Sequence, residues 1–165
     1  KSEEMVTIIM SPNLIQFKNN DTKIVTRCVE GKFPNFRQVF PNDYTYEIEL
    51  EKKDIIQALN LASVVGNVSK LIRFDVDRAN SLLNISARDL DTQKASNNKI
   101  KCTFIKGDFT DFYSFGLNLS HLGVCLNAIT SEKVRIKLNS PDKPVFVEDV
   151  NDLNKRTIVM PMIIQ

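Results

Sequence analysis

The chain has 165 residues, of which 42% are hydrophobic and 25% charged, and its formal net charge is +2. That length suits one domain, or one domain plus part of another, and the apolar share builds a core without disulfide or metal staples. The near-neutral balance excludes strong nonspecific phosphate binding by the chain as a whole, so any nucleic-acid contact must come from a local arrangement of charge.

Along the chain, strand signals come first. Lys1-Ser2-Glu3-Glu4 is polar, unlike a secretory leader, and without an initiator Met the sequence reads as a segment of something longer. Residues 5–10 are apolar and rich in β-branched side chains, and Ser11-Pro12-Asn13 breaks them. A second strand over 14–17 turns at Asn19-Asn20-Asp21 into a third over 22–29, which makes a meander. A loop over 30–43 follows, with Pro34 and Pro41 placing a domain boundary near Pro41.

Residues 44–50 alternate as a half-buried strand does. The period then changes: Ile55, Leu59 and Ala62 recur at helical spacing, which predicts an amphipathic helix over 51–65 ended by Gly66-Asn67. Strands are expected around Ile72 to Val76, Leu83 to Ala87, 91–106 and 113–117. Asn118 is a good N-cap for a second helix over 118–129, striped by Leu122, Cys125, Leu126 and Ile129. Strands over 134–138, 145–148 and 157–160 complete the pattern. From Tyr44 onward this is an α+β fold of two β–α–β–β–β halves.

Chemistry is sparse. There is no G-x-S-x-G, P-loop or G-x-G-x-x-G pattern, His121 stands alone, and Cys28, Cys102 and Cys125 have no metal-ligand spacing. No cofactor or metal is expected. The cysteines read as reduced, mostly buried thiols of a cytosolic protein. No run approaches the ~20 apolar residues of a membrane span. The acid pairs Asp75/Asp77, Asp89/Asp91 and Glu148/Asp149 read as solvated turn acids at strand ends. From residues alone, the reading stops at a non-enzymatic α+β domain.

Three motifs carry a resemblance. Cys28-Val29-Glu30-Gly31-Lys32-Phe33-Pro34-Asn35-Phe36-Arg37-Gln38-Val39-Phe40-Pro41 resembles the linker between the second and third domains of the bacterial DNA sliding clamp, the β subunit of DNA polymerase III. Ile158-Val159-Met160-Pro161-Met162 is similar to that family's terminal V-x-M-P-M/I pattern. Gly116-Leu117-Asn118-Leu119-Ser120-His121-Leu122 is similar to the G-F-N-x-x-Y-L opening of its last helix, and Glu148-Asp149 also fits.

The resemblance implies a DNA-clamp fold, with antiparallel sheets outside and two helices on the inner face. Residues 1–41 would be the end of clamp domain two and the linker, and 42–165 domain three. It implies a bacterial, cytoplasmic, non-catalytic processivity factor whose homodimeric ring encircles duplex DNA without reading sequence. The ring would tether the polymerase III catalytic subunit, the clamp loader and other proteins that carry a clamp-binding motif.

Lys52, Lys53, Gln57 and Asn60 would face DNA, with Asn118, Ser120 and Asn127 from the second helix. Clamp-binding peptides, with a Gln and a hydrophobic pair, would dock against Pro34, Gln38, Val39, Asn118, His121, Ile158, Val159, Met160, Pro161, Met162 and Ile163. Val64 and Val65, with an edge strand within 96–104, would meet the second subunit. His121 departs from the family's usual aromatic residue, and Gln38 and Ile163 stand where a base is common. Two other readings compete: a metal-dependent nucleic-acid enzyme fragment using Asp75, Asp77 and Asp89, and a generic sheet-edge interaction module. Convergence of those carboxylates would favour the first, and indifference to clamp-binding peptides the second.

Overall fold

The structure, a computed structural model, describes residues 5–33, 35–41, 43–65, 70–89, 91–109 and 113–164. The chain divides into two compact units, Lys1–Phe40 and Pro41–Gln165.

The first unit is an antiparallel sheet of β1 (Thr7–Met10), β2 (Leu14–Lys18) and β3 (Lys23–Arg27). Its register aligns Ile8, Phe17 and Ile24 in one row and Met10, Ile15 and Thr26 in the next. Directly opposed side chains share a face, so one face is apolar while Lys18, Lys23 and Arg27 occupy the other. After the sheet, the expected loop contains a 3-10 turn, Phe36–Val39.

The second unit is built twice from one pattern. The first half is β4 (Tyr46–Glu51), α1 (Lys52–Ser63), β5 (Leu71–Asp77), β6 (Leu82–Asp89) and β7 (Lys94–Lys106). The second is β8 (Tyr113–Asn118), α2 (Leu119–Ala128), β9 (Lys133–Leu138), β10 (Val145–Asp149), β11 (Arg156–Val159) and the short β12 (Pro161–Met162). All are joined in the order β11-β10-β9-β4-β7-β6-β5-β8-β12.

The order shows the internal repeat. β7 changes partner along its length, pairing with β6 over 94–101 and with β4 from Cys102 onward. β11 and β12 do the same with a break between them: β11 pairs with β10, the chain passes through Met160, and β12 pairs with β8. The strand expected to include Met160 therefore stops at Val159. Pro161 has no N–H to continue a ladder and lies at the end of the sheet, opposite Leu117.

The helices follow their apolar spacing. Ile55, Ala58, Leu59 and Ala62 bury one stripe of α1. Leu122, Cys125 and Leu126 do so for α2, which begins at Asn118, whose side chain accepts the N–H groups of Ser120 and His121 at 3.0 and 3.2 Å. Both helices pack on the face of the sheet that carries Ile48, Leu50, Phe74, Ile85, Phe115, Leu117, Ile136 and Val147, all buried. Phe74 and Phe115, directly opposed in register, stack with centroids 4.9 Å apart.

The acid pairs require a correction. Asp77 and Asp89 are turn acids: Asp77 accepts the Asn80 N–H, and Asp89 those of Asp91 and Thr92. Asp75, however, lies mid-strand and 9% exposed, held by Arg73 at 2.8 Å and Ser114 at 2.5 Å. Glu148 is 2% exposed and pairs with Lys137 at 2.7 Å. Asp149 is fully buried and accepts from Thr130, Ser131 and Asn151. Sequence position at a strand end gave no hint that these partners surround them.

Candidate functional site

The unit's most distinctive surface lies where the ends of the nine-stranded sheet meet. Val159 is buried at the end of β11, and the next residue, Met160, is 60% exposed. Pro161 and Met162 are half-buried against β8, and Ile163 is 89% exposed. Ile158 stands opposite Phe146 on the outward side of β10. There Tyr44 packs edge-on to the Phe146 ring at 4.9 Å, so this aromatic is buried although it faces away from the core.

α2 borders the same region, packing against both β8 and β11. His121, in its first turn, is exposed, and Val124 is exposed one turn further on. Thus Ile158, Met160, Pro161, Met162 and Ile163 form one uncharged strip, while Val159 points into the core. Asn118 is the N-cap that its residue type predicted. Its side-chain oxygen accepts the backbone N–H groups of Ser120 and His121 and fixes the start of α2.

The linker residues belong to the first unit. Gln38 and Val39 lie on the 3-10 turn, where the Gln38 N–H donates to Asn35 and Val39 is exposed. Pro34 lies outside the described residues.

A second surface is the outer side of the helix pair. Lys53, Gln57 and Asn60 are exposed on one stripe of α1, and α2 adds exposed Ser120 and Asn127. Lys52 departs from the expectation. Its ammonium donates to the Ile129 carbonyl at 2.5 Å, and its backbone N–H to Glu132 at 2.7 Å. It therefore ties the start of α1 to the end of α2, because the free carbonyls of a helix C-terminus attract a cation.

At the far end of α1, Val64 is 76% exposed, which removes it from the core, and Val65 is half-buried. Over residues 94–101, β7 is paired with β6 on one side, and no strand among the described residues pairs with its other side.

Where β7 changes partner, a cleft of about 450 Å³ opens, lined by Glu49, Glu51, Asp54, Lys101, Cys102 and Lys133 among others. Lys133 and Arg135 hold Glu49 at 3.0 and 3.2 Å, which lowers its carboxyl below the usual range, first through the Lys133 hydrogen bond. Among the described residues, no three or more His, Cys, Asp or Glu side chains are grouped to hold a metal ion. Asp75, Asp77 and Asp89 each serve separate local contacts. Also among those residues, no helix is long and apolar enough to cross a membrane.

Sequence reasoning passed over Val124 and Leu61, and it named Gly116 only as the start of a motif. Val124 and Leu61 are 71% and 51% exposed on the helices, outside the apolar stripes that the spacing marks. A glycine inside a strand is itself a signal of close backbone approach.

The fold defines the class. It is close to that of the DNA polymerase sliding clamp from Pseudomonas aeruginosa, with a TM-score of 0.81 at 22% identity, covering 96% of this chain and 42% of that one. The DNA polymerase III β subunit from Thermotoga maritima matches with a TM-score of 0.78 at 16% identity, covering 97% and 42%. The model of the DNA polymerase III beta subunit, C-terminal domain, matches residues 37–163, and the chain belongs to that family. Among curated relatives, the beta sliding clamp of Helicobacter pylori is 23% identical over an aligned length of 170, covering 98% of this chain and 41% of that protein. That of Synechocystis is 21% identical, covering 98% and 40%. The chain thus spans about two-fifths of the length of these relatives.

Proposed function

We propose that this chain is the C-terminal part of a sliding-clamp subunit, a non-catalytic processivity factor of bacterial cytoplasm. In this reading the first unit ends clamp domain two, and residues 42–165 are domain three. The uncovered apolar row of Ile8, Phe17 and Ile24 supports it, since such a sheet face needs helices of its own domain.

The observation that carries the reading is the uncharged run Met160, Pro161, Met162 and Ile163, half-buried to exposed where the chain passes from β11 to β8, the two strands on which α2 packs. A short peptide with a Gln and a hydrophobic pair docks there. Methionines adapt to varied apolar anchors. This suits a surface shared by the polymerase III catalytic subunit, the clamp loader and other motif-bearing proteins.

Duplex DNA passes along the helix face, where Lys53, Gln57 and Asn60 make weak contacts to phosphates without reading bases. The ring closes as a homodimer through the unpaired side of β7, with Val64 and Val65 adding an apolar contact.

The test is a titration of the chain against a fluorescein-labelled peptide with one Gln and Leu and Phe anchors, followed by anisotropy. Saturable binding near a micromolar Kd (about −8 kcal/mol) that weakens in Met160→Ala is expected. Binding that ignores Met160→Ala and Met162→Ala would refute this docking surface.

A further inference from the structure

Gly116 lies in the interior of β8, between the buried Phe115 and Leu117. Those two side chains enter the core, so position 116 faces the opposite side of the sheet. Glycine weakens a strand by its backbone entropy and by the packing it lacks, so it persists where something approaches closely. Here a Cβ would stand 2.7 Å from the backbone oxygen of Met162, 2.9 Å from Leu71 Cδ1 and 3.1 Å from Ile164 Cγ1. The first of these is main chain and cannot swing aside as a side-chain tip can.

What approaches is the tail. β12 is registered on β8 through Pro161 opposite Leu117 and Met162 opposite Gly116. Pro161 offers no donor, which leaves this short ladder few hydrogen bonds, so the flat seating over Gly116 matters more. The same stretch also leads into α2, because Asn118 caps the turn that presents His121. Residues 116–118 therefore support both walls of the exposed strip: the tail and the first turn of the helix.

We propose that Gly116 is a positioning residue for peptide docking: it touches no ligand, and its missing side chain lets residues 162–164 lie on β8 so that Met160 and Ile163 stand at the right height beside His121. This rests on the docking reading above and assigns to it a residue outside the contact surface.

The test uses four chains in the same anisotropy titration: wild type, Gly116→Ala, removal of residues 161–165, and both changes together. Gly116→Ala is expected to weaken the labelled peptide about tenfold or more, and removal at least as much. The combined chain is expected to be no weaker than the removal alone, since residues that act through one contact are not additive. Without the tail, nothing main-chain crowds position 116, so Gly116→Ala should not lower the unfolding temperature of the shortened chain. A purely structural role would instead lower that temperature with or without the tail, and its penalty would add. Wild-type affinity in Gly116→Ala, or additive penalties, would overturn the positioning role while leaving the docking reading in place. Failure of the wild-type chain to bind the peptide would remove the docking reading and the positioning role with it.

Discussion

The Lys52 ammonium sits 2.5 Å from the carbonyl oxygen of Ile129, so the first turn of α1 supports the end of α2. Its neighbour Lys53 points to solvent. Two adjacent lysines with the same sequence context thus do different work. Lys52→Met keeps the aliphatic stem and deletes the charged hydrogen bond, which should cost about 1–2 kcal/mol and lower Tm by about 2–6 °C. Lys53→Met should change stability by less than about 0.5 kcal/mol. In a loaded ring, Lys53→Met should reduce the salt slope of DNA binding by about one per subunit, while Lys52→Met leaves it unchanged. Thermal unfolding and salt-dependent DNA binding of both variants check this.

Asp149 organises the turn after α2, and its hydrogen bonds, the one from Ser131 first, hold its carboxyl well below the ordinary range. A carboxyl whose pKa is depressed on folding stabilises the fold fully above its unfolded value, near about 3.9, and loses that contribution as pH falls through the folded value. Unfolding temperature should therefore fall on acidification below about pH 4. Asp149→Asn should be less stable at neutral pH, and the gap to wild type should narrow at acid pH. A gap independent of pH would show that the charge of Asp149 is not what the turn uses.

Ile163 is 89% exposed, and its neighbours Met160 to Met162 and Ile164 are uncharged. Ile163→Arg should bind a labelled peptide with an acidic flank about two- to fivefold more tightly, the size of an exposed ion pair. It should leave a neutral-flanked peptide unchanged. Equal effects on both peptides would assign the gain to the arginine stem rather than to its charge.

Cys102 lies under the partner switch of β7, 7% exposed, and burial pushes its thiol up to about 11. Cys125 is also buried, while Cys28 is half-buried. The thiolate is the reactive form. Iodoacetamide at pH 8 should therefore modify Cys28 before the other two, as read by peptide mapping. Early loss of Cys102 would mean that the β4–β7 junction opens readily.

Much of the fold was legible because its signals are local. Ile55, Leu59 and Ala62 mark the buried stripe of α1 by spacing alone, and Asn118 marks the start of α2. Both helix ends and most strands fall within a few residues of where those signals place them. What was not legible depends on partners distant in sequence. Nothing near Lys52 says that Ile129 awaits it, and nothing near Asp149 says that Thr130 and Ser131 will surround it. The break at Met160 was hidden for a related reason. Its apolar type continues the strand, whereas the change of sheet partner is a property of the whole order β11 to β12. At the candidate site, the tail motif drew attention to residues 158–162, whereas Gly116, quoted only as the start of the helix motif, gave no sign that Met162 and Ile164 would lie against it.

The four methionines allow the docking surface to be read directly, since Met160 and Met162 lie in the tail and Met5 and Met10 in the first unit. Methyl spectra of methionine-labelled protein, recorded as the unlabelled Gln/Leu/Phe peptide is added, should show the Met160 and Met162 signals moving with one saturable curve while Met5 and Met10 stay in place. Movement confined to Met5 and Met10, or no movement at peptide concentrations well above micromolar, would contradict the clamp-like docking surface.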